Sequence, residues 1–350
     1  MKPNAARWLA CRATLGLAAC GRPDAPDAWL GAVMPVDNPA GPGSRYPHLA
    51  VGGHVAMSWL QALPQGGFAL QHARLHEGAW GPAATVTTGD DWFIIWADFP
   101  SVVPLDATTW AAHWLQQKPG RVYSYDVRIA VSRDGGKSWS APMSPHDDGT
   151  PTEHGFVTLF AAGDAMQAVW LDGRHTGGGH AHAAGAAGAM TVRGAIVGAD
   201  GRRTGTDVEI DACPVNGPAV DALGRTVVVA WFAAPDVPRI RLAFSQDAGR
   251  TFGPPVEVAS GDVAGRVDVV VLDDGRAIVS WLQPSAGGAE IRAQPFGRDG
   301  PAGPPVVIAS SPVQRASGFP QMVRAGGGLL FAWTDAAEPA QVRTAHATLR

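Results

Sequence analysis

The sequence is short of several residue types, and each shortage removes a class of explanation. Three cysteines, Cys11, Cys20 and Cys213, stand in 350 residues. They are too few and too scattered for a disulfide framework, so packing alone must hold the folded domain. Lysine occurs only as Lys2, Lys118 and Lys137, which leaves arginine as almost every cation. Charged residues make up 17% and the formal net charge is −4, with no basic footprint for nucleic acid. No segment beyond the N-terminus reaches the roughly 18 uninterrupted apolar residues of a membrane span. Convincing amphipathic helices are missing as well.

What is abundant points one way. Glycine and proline number 44 and 29, tryptophan 13, and apolar residues reach 46%. That composition fits short strands joined by turns. A phrase of alternating apolar residues, a glycine turn and a strand ending in tryptophan recurs at Trp59, Trp114, Trp170, Trp231, Trp281 and Trp333, at spacings of 50 to 61 residues. Period-2 strands follow the anchors, as at 125–131, 240–244, 289–293 and 342–347. Four strands per repeat and six repeats predict an all-β, six-bladed β-propeller over 29–350, because a blade cannot bury both faces alone. Residues 29–34 are expected to supply the outer strand missing from the last repeat, closing the ring between the N- and C-terminal strands. Two β-sandwiches are the alternative, but they would not place a tryptophan at the same position of every repeat.

The first twenty residues read as an address. Lys2, Arg7 and Arg12 precede a short apolar stretch ending in Leu17-Ala18-Ala19-Cys20. This resembles a bacterial lipobox, with Cys20 as the lipidated residue and 21–28 as a tether. It implies an exported protein on the periplasmic side of the outer membrane, touching lipid only through its anchor.

Two turns share one pattern: Ser132-Arg133-Asp134-Gly135-Gly136-Lys137-Ser138-Trp139 and Ser245-Gln246-Asp247-Ala248-Gly249-Arg250-Thr251-Phe252. The carboxylate can accept backbone N–H groups, the glycine tolerates φ > 0, and the aromatic can pack between sheets. Weaker copies stand at His76-Glu77-Gly78-Ala79-Trp80 and Gly297-Arg298-Asp299-Gly300. The pattern resembles the Asp box (BNR repeat) of the sialidase-like propellers. Asp134 and Asp247 are then structural. Some exported members carry an extra, cysteine-rich repeat before a Cys-Pro-Val-Asn phrase; here residues 207–212 run straight into Cys213-Pro214-Val215-Asn216. A lost repeat would leave Cys213 without a partner and lower the blade count from seven to six.

The resemblance implies a site on the face that carries the fourth-to-first and second-to-third strand connections. Those connections hold Arg45 (in Arg45-Tyr46-Pro47), Asp98, Glu153, His154, Asn216, Arg266, Asp268 and Arg315, with Asp172-Gly173-Arg174-His175 and Asp335. In sialidases three arginines grip a carboxylate, an Asp works as acid/base, and a tyrosine activated by Glu attacks. By that analogy Arg45, Arg174, Arg266 and Arg315 are the candidate arginines, since a guanidinium fork suits a carboxylate. His154 and Asp268 join them as substrate-binding candidates. Asp98 is the expected acid/base, with Glu153 or Asp172 as its partner carboxylate. The only tyrosines are Tyr46, Tyr123 and Tyr125, none in the late repeats where the nucleophile is expected.

The functional expectation is a monomeric glycoside hydrolase acting on a glycan or small anionic sugar, with no cofactor and no nucleic-acid partner. The alternative is a propeller of the cell envelope that binds a glycan or a protein without turning it over. His175, His180 and His182 could ligate a metal, but without a Cys or acidic ligand in fixed register the segment reads as a loose loop or lid.

Overall fold

A computed structural model describes residues 28–162, 165–176, 190–197, 205–209, 217–234, 236–312 and 314–350. The expected signal segment, Cys20, Cys213, Asn216, His180 and His182 lie outside the described residues. Six antiparallel sheets follow one another along the chain. Blade 1 is Ser44–Val51, Val55–Ala62, Phe68–His76 and Ala84–Gly89. Blade 2 is Ser101–Pro104, Trp110–Gln117 and Tyr125–Ser132, with an outer bridge from Ile129 to Met143. Blade 3 is His154–Ala162, Ala165–Asp172, Thr191–Val197 and Gly205–Glu209. Blade 4 is Ala219–Leu223, Thr226–Ala233, Arg239–Ser245 and Val256–Ser260.

Blade 5 is Asp268–Val271, Ala277–Ser285, Gly288–Gly297 and Val306–Ser311. Blade 6 takes Gln321–Ala325, Gly328–Asp335 and Gln341–Thr348 from the end of the chain, and Met34–Val36 from its beginning. The protein is a six-bladed β-propeller, not a seven-bladed one. The ring closes as expected, two strands meeting from opposite ends of the chain. The closing strand sits slightly later than 29–34, at Met34–Val36, with Leu30 bridging Leu349 beyond it.

Every anchoring tryptophan lies on the second strand of its blade. Trp59, Trp114, Trp170 and Trp281 are buried, whereas Trp231 and Trp333 are half-buried. Arg128, Arg193, Arg241, Arg292 and Arg343 stand directly opposite Trp114, Trp170, Trp231, Trp281 and Trp333 on the third strands; Gln71 faces Trp59. That recurrence accounts for part of the arginine excess.

Neighbouring blades are stitched by side chains that accept the first-strand N–H groups of the next blade. Ser58 Oγ accepts Val102 N at 3.0 Å and Asp98 Oδ2 accepts Phe156 N at 3.0 Å. Asp221 Oδ2 and Asp268 Oδ2 accept Val271 N and Met322 N, both at 2.6 Å. Thr334 Oγ1 accepts Tyr46 N at 2.9 Å across the closing seam. These bonds satisfy strand edges that would otherwise face the channel unpaired.

The two matching turns form the same network. Ser132 Oγ donates to Asp134 at 2.8 Å while Ser138 N and Oγ donate at 2.9 and 2.6 Å. Ser245 Oγ donates to Asp247 at 2.7 Å, and Thr251 N and Oγ1 at 2.8 and 2.7 Å. These bonds hold both carboxyls below the usual range, Asp247 at about 2. Trp139 packs on the blade 1–2 core as expected, but Phe252 is 44% exposed.

Candidate active site

The face carrying the second-to-third and fourth-to-first strand connections forms the mouth of the axial channel. Two groups of side chains meet there. The first is a pair of carboxylates. Residues 95 to 98 make a tight turn, with Ile95 N bonded to Asp98 O at 3.2 Å and Asp98 N to Ile95 O at 3.3 Å. The turn delivers Asp98 to the start of blade 3, where its carboxyl takes the Phe156 N–H and is only 3% exposed. Gly155 makes this seat possible, because a Cβ there would overlap the Asp98 carboxylate and meet the Tyr125 ring at 2.9 Å. Burial pushes Asp98 up to about 7; the Phe156 N–H opposes the rise and the Glu153 charge adds to it. Asp98 and Glu153, both expected as site carboxylates, thus feel each other's charge. Tyr125 stacks on Phe93 at 3.9 Å beside them, and its hydroxyl is raised by burial and by both carboxylates.

The second group is cationic and aromatic. Tyr46 is buried between Arg45 and Arg266, stacked on Phe99 at 5.5 Å. Burial raises its hydroxyl, and the charges of Arg45 and Arg266 oppose the rise. Arg266 donates to Gln314 O at 3.1 Å and to Gly318 O at 3.0 Å, and burial lowers it to about 10. Trp96, at the tip of the 95–98 turn, lies 4.9 Å from the Arg266 guanidinium and 6.0 Å from that of Arg315, and stacks on Phe319 at 5.7 Å. Gly318, at φ 61, leaves room for this arrangement: a Cβ would reach Tyr46 Cδ1 at 2.9 Å. Two of the four expected arginines, Arg45 and Arg266, thus flank one tyrosine, and Arg315 joins Arg266 on Trp96.

The remaining expected residues are placed elsewhere. Asp172 has no exposed surface and is held by Arg174 through Nε at 2.7 Å and Nη2 at 2.7 Å, and by the Trp170 indole at 2.9 Å. His154, also without exposed surface, turns away from the mouth: Nδ1 faces Tyr125 O and Nε2 faces Asp148 Oδ2, each at 3.1 Å. Its ring lies flat on His146 at 3.9 Å, 7° from parallel. His146 accepts Val127 N at Nε2 and is lowered to about 4 by burial and by the charge of His154. Asp268 is in the channel wall, not on the rim, raised to about 7 by burial. Asp335 pairs loosely with Arg343 at 3.4 Å. His154 precedes the blade 3 bulge and pairs in register with Asp172, while Asp172 and Asp335 end regular second strands that bring them to arginines of their own blades.

The blade 2–3 cluster has metal-ligand composition in two overlapping sets, Asp126, His146, His154 and Asp148, His154, Asp172. Its positive charge is already supplied. Lys118 sits 2.7 Å from Asp126, and Arg174 Nε lies 3.2 Å from Asp148 besides holding Asp172. In the first set the two parallel imidazoles also cannot both aim their in-plane lone pairs at one ion. The cluster is a salt-bridge lattice between two blades. A separate cavity of about 890 Å³ lies at the opposite end of the channel, walled by Val51, Leu223, Asp268 and Arg324, and shares no residue with the mouth.

Tyr46 lies in the first repeat, away from the late repeats where the resemblance places a tyrosine, and only its neighbour Arg45 carries a family pattern. Trp96 stands two residues before Asp98, in the same connection, and carried no pattern of its own.

No family model and no curated protein matches the chain. Solved structures do. A protein of unknown function from Dyadobacter fermentans matches with a TM-score of 0.61 at 15% identity, covering 92% of this chain and 98% of its own. An α-L-arabinofuranosidase from Fusarium graminearum, solved with an iminosugar inhibitor, matches at 0.57 and 13%, covering 92% and 98%. A Trypanosoma rangeli sialidase matches at 0.51 and 10%, covering 89% of this chain and 57% of that one. The chain has the propeller fold that these glycosidases share.

Proposed function

We propose that the protein is an exported, lipid-anchored propeller that binds a carboxylate-bearing sugar at its mouth and hydrolyses the glycosidic bond. One observation carries this: a buried carboxyl pushed up to about 7, under the charge of a second carboxylate, stands two residues after the Trp96 ring on which Arg266 and Arg315 lie. A carboxyl of that kind is protonated in a useful fraction near neutrality and can donate to the leaving oxygen. Glu153 then activates water or stabilises the positive charge that develops on the ring. Arg45, Arg266 and Arg315 hold the anionic group. Arg45 Nε is buried without a protein acceptor, as expected of a donor reserved for a ligand. Asp172, Arg174 and His154 hold blade 3 in place instead of touching the sugar. The Ser132 and Ser245 turns act as Asp boxes that set the hairpins.

Methylumbelliferyl glycosides of N-acetylneuraminic acid, glucuronic acid and L-arabinofuranose test this directly. Release from an acidic sugar, lost in Asp98→Asn at unchanged fold, is the expected result. A folded wild-type protein that cleaves none of them contradicts it. Binding without turnover is the second reading, favoured by how little of Asp98 is exposed. Calorimetric glycan binding with no sugar released would establish it.

A further inference from the structure

Three blades, alternating around the ring, begin with the same irregularity. In blade 1 the ladder passes from the pair Arg45 and Leu60 to His48 and Ser58, leaving Tyr46 and Pro47 opposite Trp59. In blade 3 it passes from Gly155 and Leu171 to Thr158 and Val169, leaving Phe156 and Val157 opposite Trp170. In blade 5 Leu282 bonds Gly265 and Ala264 while Asp268 pairs with Ser280, leaving Arg266 and Val267 opposite Trp281. Each is a one-residue bulge facing the anchoring tryptophan. The first bulged residue is left-handed in all three: Tyr46, Phe156 and Arg266 each have φ 53.

Left-handed backbone costs a side-chain-bearing residue roughly 1 kcal/mol, and glycine adopts it freely. A fold with only structural demands would place glycine at these positions. Tyr46 and Arg266 are the rim residues already described. Phe156 has had no role beyond its backbone: its N–H holds Asp98, yet its half-buried ring belongs to none of the buried core clusters. Bulges of this kind re-aim side chains, and strain kept without a packing return points to function.

We propose that Phe156 is a ligand-contact residue, its ring stacking on the apolar face of the sugar whose glycosidic oxygen meets Asp98. Tyr46 and Arg266 then face the anionic end of the same ligand from the other two bulges. This rests on the function proposed above and narrows it to ligands that join a carboxylate to a pyranose face.

Phe156→Gly separates the ring from the backbone, because glycine keeps the N–H to Asp98 and relieves the left-handed strain. The expected result is a melting temperature at or above wild type, with affinity for 3′-sialyllactose or digalacturonate weakened about tenfold. Phe156→Tyr should bind within about twofold of wild type, whereas Phe156→Leu, apolar but without a flat face, should bind like the glycine variant. Wild-type binding that Phe156→Gly leaves unchanged overturns the role of Phe156 alone. So does a Phe156→Gly protein that melts well below wild type, since the ring would then be packing. A folded wild-type protein that binds neither oligosaccharide overturns the reading of the mouth itself.

Discussion

Asp98 and Asp268 are chemically alike and differently placed. Both carboxyls are buried, both accept a backbone N–H from the next blade, and both are pushed up to about 7. Asp268 stands in the channel wall with Asp221 as its charged neighbour; Asp98 stands at the mouth beside Glu153 and Tyr125. Burial and a raised carboxyl are thus a by-product of stitching blades with aspartates. What distinguishes a candidate acid is the company it keeps on the rim.

Replacing each by asparagine should split the pair most sharply. Asn keeps one oxygen to accept the N–H of the next blade, so both variants should fold, Asp268→Asn giving up its second bond, from Val269 N. Asp98→Asn should lower glycoside turnover by roughly 10²–10⁴-fold, the usual contribution of a general acid or base, with Asp268→Asn near wild type. Equal losses would mean that the mouth is not special. Next in size is the lattice beneath the mouth. Arg174→Ala leaves Asp172 buried without its two-pronged partner and should cost about 3–5 kcal/mol in denaturant unfolding. A loss under 1 kcal/mol would show that His154 and Trp170 suffice.

The pH dependence follows from the same comparison. The folded-state value of Asp268, about 7, lies above its ordinary 3.8. Its contribution is therefore complete below about pH 4 and lost as pH rises through 7. Asp268→Asn should be more stable than wild type at pH 8, and that advantage should vanish near pH 4. His146 runs the other way. At about 4 against an ordinary 6.5, its contribution is present above pH 6.5 and lost as pH falls through 4. The smallest expected effect concerns the two matching turns. Gly135 is left-handed at φ 72 in one, and Ala248 holds the same position at φ 61 in the other. Ala248→Gly should gain about 0.5–1 kcal/mol in thermal unfolding.

The propeller was legible in the sequence because tryptophan spacing and strand alternation are local signals that repeat. Ring closure followed from a last repeat one strand short. That Asp98 and Glu153 both precede first strands was also legible. The fate of Asp172 was not. An Asp two residues before an Arg reads as a rim pair, yet the strand carries Asp172 beneath the surface, where Arg174 folds back onto it. Nor could the bulges be read: a one-residue shift opposite Trp59, Trp170 and Trp281 leaves no mark on composition, and it sets the placement of Tyr46, Phe156 and Arg266.

The pH–rate profile of an acidic glycoside, measured for wild type, Asp98→Asn and Asp268→Asn, tests the account most directly. It predicts a limb in kcat/KM near pH 7 that Asp268→Asn retains and Asp98→Asn abolishes together with the rate. A limb that survives in residual Asp98→Asn activity, or disappears in Asp268→Asn, would contradict the assignment of Asp98 as the proton-transferring group.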